Sequence, residues 1–328
     1  MNTYIAKTFW GLEEVLEDEL KKMGAENTEK LNRAVKFQGD KAMLYKSNVY
    51  SRTALKIVVP LKTFRAKSES ALYREVYEYK WESLFNLYNT FLIDGVVNSE
   101  YFKHSQYSSL KTKDAIADRF RNKYNKRPSV DKKNPDFRIN LHISKDQCTL
   151  SLDSSGESLH KRGYKAKNVK APLNEVLAAG LILLSGWDKK SPFIDPMCGS
   201  GTLPIEAALI ANDIPPGVYR EKFSFENWHD FDPNLFRPIK SQTTAKFRHK
   251  IKIQGCDISE EAIETTRKNL EKSNLIKDVE LFVQSISEYK PPAKNKGTVI
   301  INPPYDYKLK EKDIQAFYHK IGNILKKN

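Results

Sequence analysis

Apolar residues near the start of the chain recur at helical spacing: Leu12, Val15, Leu16, Leu20 and Met23. Glu13 and Glu14 open this segment, Lys21 and Lys22 close it and Gly24 follows, the order a helix dipole and its C-cap favour. A helix is predicted over 10–24. Alternation around 34–37 and 55–60 predicts strands, with a second helix over 41–52 between them, so 1–60 reads as a small α+β unit. Helical spacing of Tyr73, Val76, Tyr77 and Trp81 marks 61–102. A further helix over 112–127 carries Ala115, Ile116, Arg119 and Phe120. Two strands follow at 137–143 and 148–153, with Lys145 and Asp146 in the turn.

From 171 the pattern changes. Helices at 173–185, 203–212 and 260–273 alternate with strands at 192–195, 251–257, 279–283 and 298–301, and a last helix covers 312–326. Strand–helix alternation predicts a parallel sheet with helices on both faces. The polar, glycine-containing and basic stretch 154–170 reads as the linker between the two patterns.

The chain has 328 residues, too many for one ordinary domain. Its 16 Phe, 16 Tyr and 4 Trp exclude disorder throughout. The longest apolar stretch, 176–187, is interrupted by Gly180, Ser185 and Gly186 and is shorter than the roughly 20 residues of a membrane span. The N-terminus shows no secretory pattern. Cys148, Cys198 and Cys256 stand far apart, so neither a disulfide framework nor a metal site is indicated, and a cytoplasmic setting is expected.

Charge sharpens this picture because it is uneven. The net is +14, and residues 103–170 hold 17 Lys and Arg against seven Asp and Glu, a net of +10. Such a concentration fits either a polyanion partner or a solvated lysine-rich face. Lys111, Lys113, Arg119, Lys123, Lys126 and Arg127 gather along the predicted 112–127 helix, where i,i+4 spacing aligns Arg119 with Lys123 and Lys123 with Arg127. Lys161 and Arg162 add charge in the linker.

Three short motifs sit at strand ends. Asp195-Pro196-Met197-Cys198-Gly199-Ser200-Gly201-Thr202 is a glycine turn between strand and helix, without the GxGxxG or GK[ST] pattern of nucleotide folds. It allows close approach of a ligand to backbone, or serves as a plain structural turn. Asp257 ends the next strand, placed to accept ribose hydroxyls or to cap the following helix. Asn302-Pro303-Pro304-Tyr305 closes the last strand. Its amide and carbonyls can accept hydrogen bonds from an exocyclic amine, and Tyr305 can stack on a base; otherwise it is a proline turn.

The glycine turn resembles the S-adenosylmethionine loop of class I methyltransferases. The whole chain resembles the THUMP-domain family of RNA guanine-N2 methyltransferases acting on large-subunit ribosomal RNA. The resemblance rests on GLEEVLEDEL, LDSSGESLHKRGYK at 152–165, APLNEVLAAGLILLSGW at 171–187, DPMCGSGTLPIEAALIA at 195–211 and NPPY at 302–305. It implies a mixed α+β and α/β multidomain chain: a ferredoxin-like region over 1–60, a THUMP RNA-binding domain over 61–160 and a Rossmann-like methyltransferase domain over 161–328. It further implies S-adenosylmethionine as cofactor and a 23S-type rRNA as partner. Pro172, Asp195, Pro196, Gly199, Gly201, Thr202, Asp257, Ile258 and Asn302 would border the cofactor, and Asn302, Pro303, Pro304 and Tyr305 would hold the target base.

Two features depart from the family. Many class I enzymes place a carboxylate after the third strand; here the stretch is Val283-Gln284-Ser285-Ile286, leaving Gln284, Ser285 or a backbone group to meet the adenine. Few residues follow the NPPY strand, so the domain is expected to lack its last strands. The aromatic-rich stretch 212–250, with Phe223, Phe225, Trp228 and Phe231, reads first as a satellite hydrophobic cluster, with a cover over the base side of the site as its other reading. Adenine-N6 methylation of DNA and a non-catalytic RNA-binding role are the rival functions.

Overall fold

The computed structural model describes residues 1–165, 172–241, 251–288, 297–303 and 311–327. These form two compact units, Met1–Leu159 with Glu221–Lys240, and His160–Arg220 with Ser241–Asn328. No described helix is long and apolar enough to cross a membrane.

The first unit runs β1 (Asn2–Lys7), α1 (Glu13–Met23), β2 (Glu26–Leu31), β3 (Ala34–Gly39), α2 (Lys41–Tyr50), β4 (Lys56–Arg65), α3 (Glu69–Tyr77), β5 (Thr90–Asn98), α4 (Ser105–Tyr124), β6 (Ser129–Val130), β7 (Phe137–Ser144) and β8 (Gln147–Asp153). All eight strands share one sheet, in the order β2-β3-β1-β4-β8-β7-β5-β6. The expected boundary at residue 60 therefore falls inside β4. The start of this strand pairs with β1 (Ile5↔Val58) and its end with β8 (Arg65↔Gln147). Pro60 is tolerated because the register shifts between Pro60 and Lys62.

Polar contacts also stitch the two halves of the sheet. Lys56 Nζ reaches Asp153 at 2.6 Å and Asp94 at 3.2 Å, and Lys7 Nζ donates to Asn140 at 2.6 Å. Ser154 and Ser155 are fully buried; Ser155 donates to Asn48 at 2.6 Å and Ser154 to the Ile57 carbonyl at 2.7 Å. The start of the expected linker is thus core, although the change of unit does fall within it, between Leu159 and His160.

Helix α4 begins at Ser105 rather than Thr112 and ends at Tyr124, where Asn125 turns left-handed at φ 52°. Its polar first turns hide the start, since Ser108 and Ser109 hydroxyls bond back to the His104 and Ser105 carbonyls. Arg127 lies beyond the helix, so its predicted alignment with Lys123 does not form.

The second unit runs α5 (Glu175–Leu184), β9 (Phe193–Asp195) and α6 (Thr202–Ala211). The chain then supplies α7 (Pro233–Ser241), largely in the first unit, before returning with β10 (Ile253–Asp257), α8 (Glu260–Lys272), β11 (Val279–Val283), β12 (Thr298–Val299) and α9 (Glu311–Lys327). Among the described residues its sheet is four-stranded and parallel, ordered β11-β10-β9-β12. Every residue of α6 is buried, and all but Thr202 and Glu206 are apolar.

The excursion at 221–240 follows the satellite-cluster reading of its aromatic residues. Phe225 stacks on Tyr45 with centroids 4.6 Å apart, and Phe231 and Phe236 meet the same ring edge-on at 5.9 and 5.5 Å. The Asp232 amide donates to the Tyr45 hydroxyl at 3.0 Å, and Lys41 pairs with Asp230 at 2.9 Å. Phe223 stacks on Phe225, and Trp228 packs against the core of the same unit. These rings are a satellite hydrophobic cluster of the first unit.

Candidate functional site

A parallel sheet gathers chemistry at the C-terminal ends of its strands. Asp195 ends β9 and Asp257 ends β10. Asn302 and Pro303 follow β12, which pairs with β9 through Val299↔Ile194 and the Ile300 amide bonded to the Ile194 carbonyl at 3.1 Å. The sheet thus brings these predicted residues to the same end of adjoining strands. Pro304 and Tyr305 lie outside the described residues.

The glycine turn is held from two sides. The Gly199 amide donates to Asp257 Oδ2 at 2.9 Å, and the Cys198 amide to the Cys256 carbonyl at 2.8 Å. Helix α8 braces the rest, with Thr266 Oγ1 donating to the Gly199 carbonyl at 2.8 Å and Asn269 Nδ2 to that of Ser200 at 2.9 Å. Gly199 and Gly201 both take positive φ, 53° and 80°. A Cβ on Gly201 would stand 2.4 Å from Thr266 Cγ2, whereas one on Gly199 would meet nothing within 4 Å. Backbone at 199 therefore faces open space, a cradle suited to a ligand.

Asp195 is 1% exposed, and its Oδ1 accepts from the Met197 amide at 3.1 Å. Burial, with Asp257 adding repulsion, pushes its carboxyl up to about 8. Among the described residues no Lys or Arg pairs with it, so it suits a cationic ligand group. Pro196 is buried beside it and Pro172 is exposed. Thr202 Oγ1 donates to the Leu173 carbonyl at 3.4 Å, joining 172–173 to the turn. Ile258 is 74% exposed and Val283, opposite Asp257 on β11, 57% exposed, an apolar lip beside the Asp257 carboxylate. Gln284 Nε2 is spent on the Glu288 carbonyl at 2.9 Å. Burial holds the Cys198 thiol well above its ordinary value and lifts Cys256 to about 11, so neither is a thiolate nucleophile at neutral pH.

The expected RNA contacts divide. Arg119 forks Glu82 and donates to the Tyr77 carbonyl at 2.9 Å, and Lys123 reaches the same carboxylate at 2.8 Å. Lys113 pairs with Asp114, and Lys111 lies over the Tyr107 ring. Arg162 is 2% exposed, 3.4 Å from Glu206 in the second unit's interior. Arg119 and Arg162 are therefore structural, because each is consumed by a carboxylate. Lys161 is exposed. Lys126 and Arg127 are exposed and carry no ion pair among the described residues. The β5–β6 pairing, Thr90↔Ser129, brings them near exposed Tyr88, which sequence reasoning missed because an isolated loop tyrosine has no pattern. Exposed Lys132 and Lys133, also missed, follow β6.

Three family models match in succession: an RlmL ferredoxin-like domain over 3–58, a THUMP domain over 66–153 and an RMKL-like methyltransferase domain over 162–328. Solved structures agree along the chain. SMU.472, described as a methyltransferase and crystallised with SAH, is 31% identical with TM-score 0.86 over 98% of this chain and 86% of that one. A possible methylase from Clostridium difficile is 31% identical with TM-score 0.88 over 99% and 86%. A predicted N6-adenine-specific DNA methylase from Listeria monocytogenes is 28% identical with TM-score 0.86 over 99% and 86%.

Proposed function

The chain belongs to the RMKL-like methyltransferase family, bearing an RlmL-type ferredoxin-like domain and a THUMP domain, and from that premise we propose that it methylates the N2 amine of a guanine in 23S-type ribosomal RNA. It is an S-adenosylmethionine-dependent methyltransferase. The observation that carries the reading is the gathering of Asp195, the Gly199 turn, Asp257 and Asn302 at adjoining strand ends.

When bound, the cofactor supplies an electrophilic methyl sulfonium. Asp257, fixed by the Gly199 amide, keeps acceptor capacity for ribose hydroxyls. Asp195, protonated by burial in the ligand-free chain, would ionise against the cofactor's ammonium. Ile258 and Val283 give the adenine an apolar lip. Asn302 and the carbonyls beside it accept from the exocyclic amine and aim its lone pair at the methyl group, while Pro303 stiffens that backbone. Transfer is direct, since the nearby thiols stay protonated.

RNA delivery falls to the THUMP side, where Lys126, Arg127, Lys132 and Lys133 meet phosphates and Tyr88 stacks on a base. A cytoplasmic setting accords with an rRNA substrate. The Listeria relative's description favours adenine-N6 of DNA as the second reading, because NPPY serves either amine. Labelled methyl transfer to rRNA and to duplex DNA, followed by nucleoside mass spectrometry, decides the matter. N2-methylguanosine in rRNA is expected; N6-methyladenine in DNA alone overturns the reading. Absence of saturable S-adenosylhomocysteine binding would instead favour a non-catalytic RNA-binding protein.

A further inference from the structure

In the basic motif His160-Lys161-Arg162-Gly163-Tyr164-Lys165, Lys161 is exposed while Arg162 and Tyr164 are buried. Within the second unit the motif is a strap. Tyr164, fully buried, donates to Glu206 Oε1 of α6 at 3.0 Å, and Arg162 approaches the same oxygen at 3.4 Å. Gly163 takes φ 111°, and a Cβ there would stand 2.4 Å from the Tyr219 carbonyl, so only glycine lets the strap lie this close. Lys272 of α8 donates to the Lys165 carbonyl at 3.3 Å.

This grip gives Lys165 a defined reach. Its Nζ pairs with Glu175 Oε1 at 3.0 Å, where the carboxylate is almost wholly buried, and donates to the Leu173 carbonyl at 2.8 Å. That carbonyl also accepts from Thr202 Oγ1, the first residue of α6 after the glycine turn. One carbonyl oxygen with two lone pairs thus joins the strap to the turn.

We propose that Lys165 is a positioning residue of the cofactor site, holding the Leu173 carbonyl so that residues 172–173 and Thr202 keep their places at the rim of the glycine turn. The inference rests on the cofactor reading above. Glu175 neutralises the ammonium, and the Leu173 bond transmits the position.

The test separates these two bonds. Lys165→Met removes both and leaves Glu175 buried without its cation, so it costs stability as well as affinity. Lys165→Met with Glu175→Gln removes the stranded charge but still lacks the donor to Leu173. Binding of S-adenosylhomocysteine by calorimetry, melting temperature, and KM for the cofactor against kcat are measured on the full chain. The double variant is expected to recover most of the melting temperature while binding remains weakened about tenfold, the range of one charge-assisted hydrogen bond. KM for the cofactor rises with it and kcat moves far less. Lys165→Arg, which keeps a donor, restores most of the affinity. Recovery of affinity together with stability in the double variant overturns the proposal, as does a parallel fall of affinity and melting temperature in both variants. Failure of the unaltered chain to bind S-adenosylhomocysteine would strike the cofactor reading instead.

Discussion

Arg119 and Glu82 form a two-bond fork, Nε to Oε2 at 2.7 Å and Nη2 to Oε1 at 2.8 Å, with both side chains mostly buried. The fork pins α4 to the turn after α3. Arg119, with Lys123 behind it, holds the Glu82 carboxyl well below the usual carboxylate range. A depressed pKa stabilises the fold fully above the unfolded value, about 4.3, and that contribution disappears as pH falls through the folded value. Arg119→Met is therefore expected to cost about 1–2 kcal/mol at pH 7 and less in acid. Denaturant melts at pH 7 and pH 3 check this. RNA affinity of the folded variant should stay within twofold. Lys126→Ala with Arg127→Ala should reverse that pattern, leaving stability intact and lowering the salt slope of RNA binding by about two.

Asp195 gives a slope of the opposite sign. Its buried carboxyl is raised to about 8, while in the unfolded chain it titrates near about 3.9. Between these values the folded chain keeps a proton that the unfolded chain releases, so this group's contribution falls as pH rises. Asp195→Asn should flatten that decline, raising the melting temperature at pH 8 more than at pH 5, and should weaken S-adenosylhomocysteine binding. A variant whose melting profile keeps the wild-type slope would show that another group sets it.

The sheet-end motifs were legible because each combines a special backbone with a polar group at the end of an apolar run: Asp195 before the glycine turn, Asp257 before α8, Asn302 after β12. Strand β5 was not, because Gly95 interrupts it and most of its residues are half-buried, with only Phe91 fully buried. Arg119 and Arg162 were hard to read for a different reason. Sequence shows a charge but not its partner, and Glu82 lies far from Arg119 in the chain, as Glu206 does from Arg162. The aromatic residues of 221–240 were legible as a hydrophobic cluster, but adjacency to the methyltransferase motifs in sequence does not say which unit they join. Their partner, Tyr45, precedes them by most of a domain.

The two glycines of the turn should fail differently. Gly201→Ala combines φ 80° with a Cβ 2.4 Å from Thr266 Cγ2, and is expected to cost about 2–4 kcal/mol. Gly199→Ala has only the left-handed backbone at φ 53° to bear, about 1 kcal/mol, since no atom lies in the way. Its methyl group enters the open space where the cofactor is proposed to lie. Calorimetric titration should therefore find Gly199→Ala close to normal in stability yet at least tenfold weaker for S-adenosylhomocysteine. Normal binding by that variant would move the cofactor away from the turn.

Asn302 tests the chemistry rather than the cradle. It follows a strand that pairs with β9 through backbone bonds, Thr298 to the Pro192 carbonyl at 2.8 Å and Ile300 to that of Ile194 at 3.1 Å. Removing its side-chain amide leaves those bonds in place, so Asn302→Ala should fold and bind S-adenosylhomocysteine within about twofold of the parent. What it loses is the acceptor that orients the amine. Misdirecting the lone pair of a weakly nucleophilic exocyclic nitrogen costs orientation in the transition state and not in the cofactor complex. The expected result is a fall in kcat of about 100-fold or more with little change in KM for the cofactor, read by labelled methyl transfer under saturating RNA. Asn302→Asp divides the possibilities further: it keeps a side-chain acceptor, so it should retain more turnover than alanine. Equal turnover by the alanine variant and the parent would remove Asn302 from the reaction and leave the backbone carbonyls of the turn as the amine's acceptors.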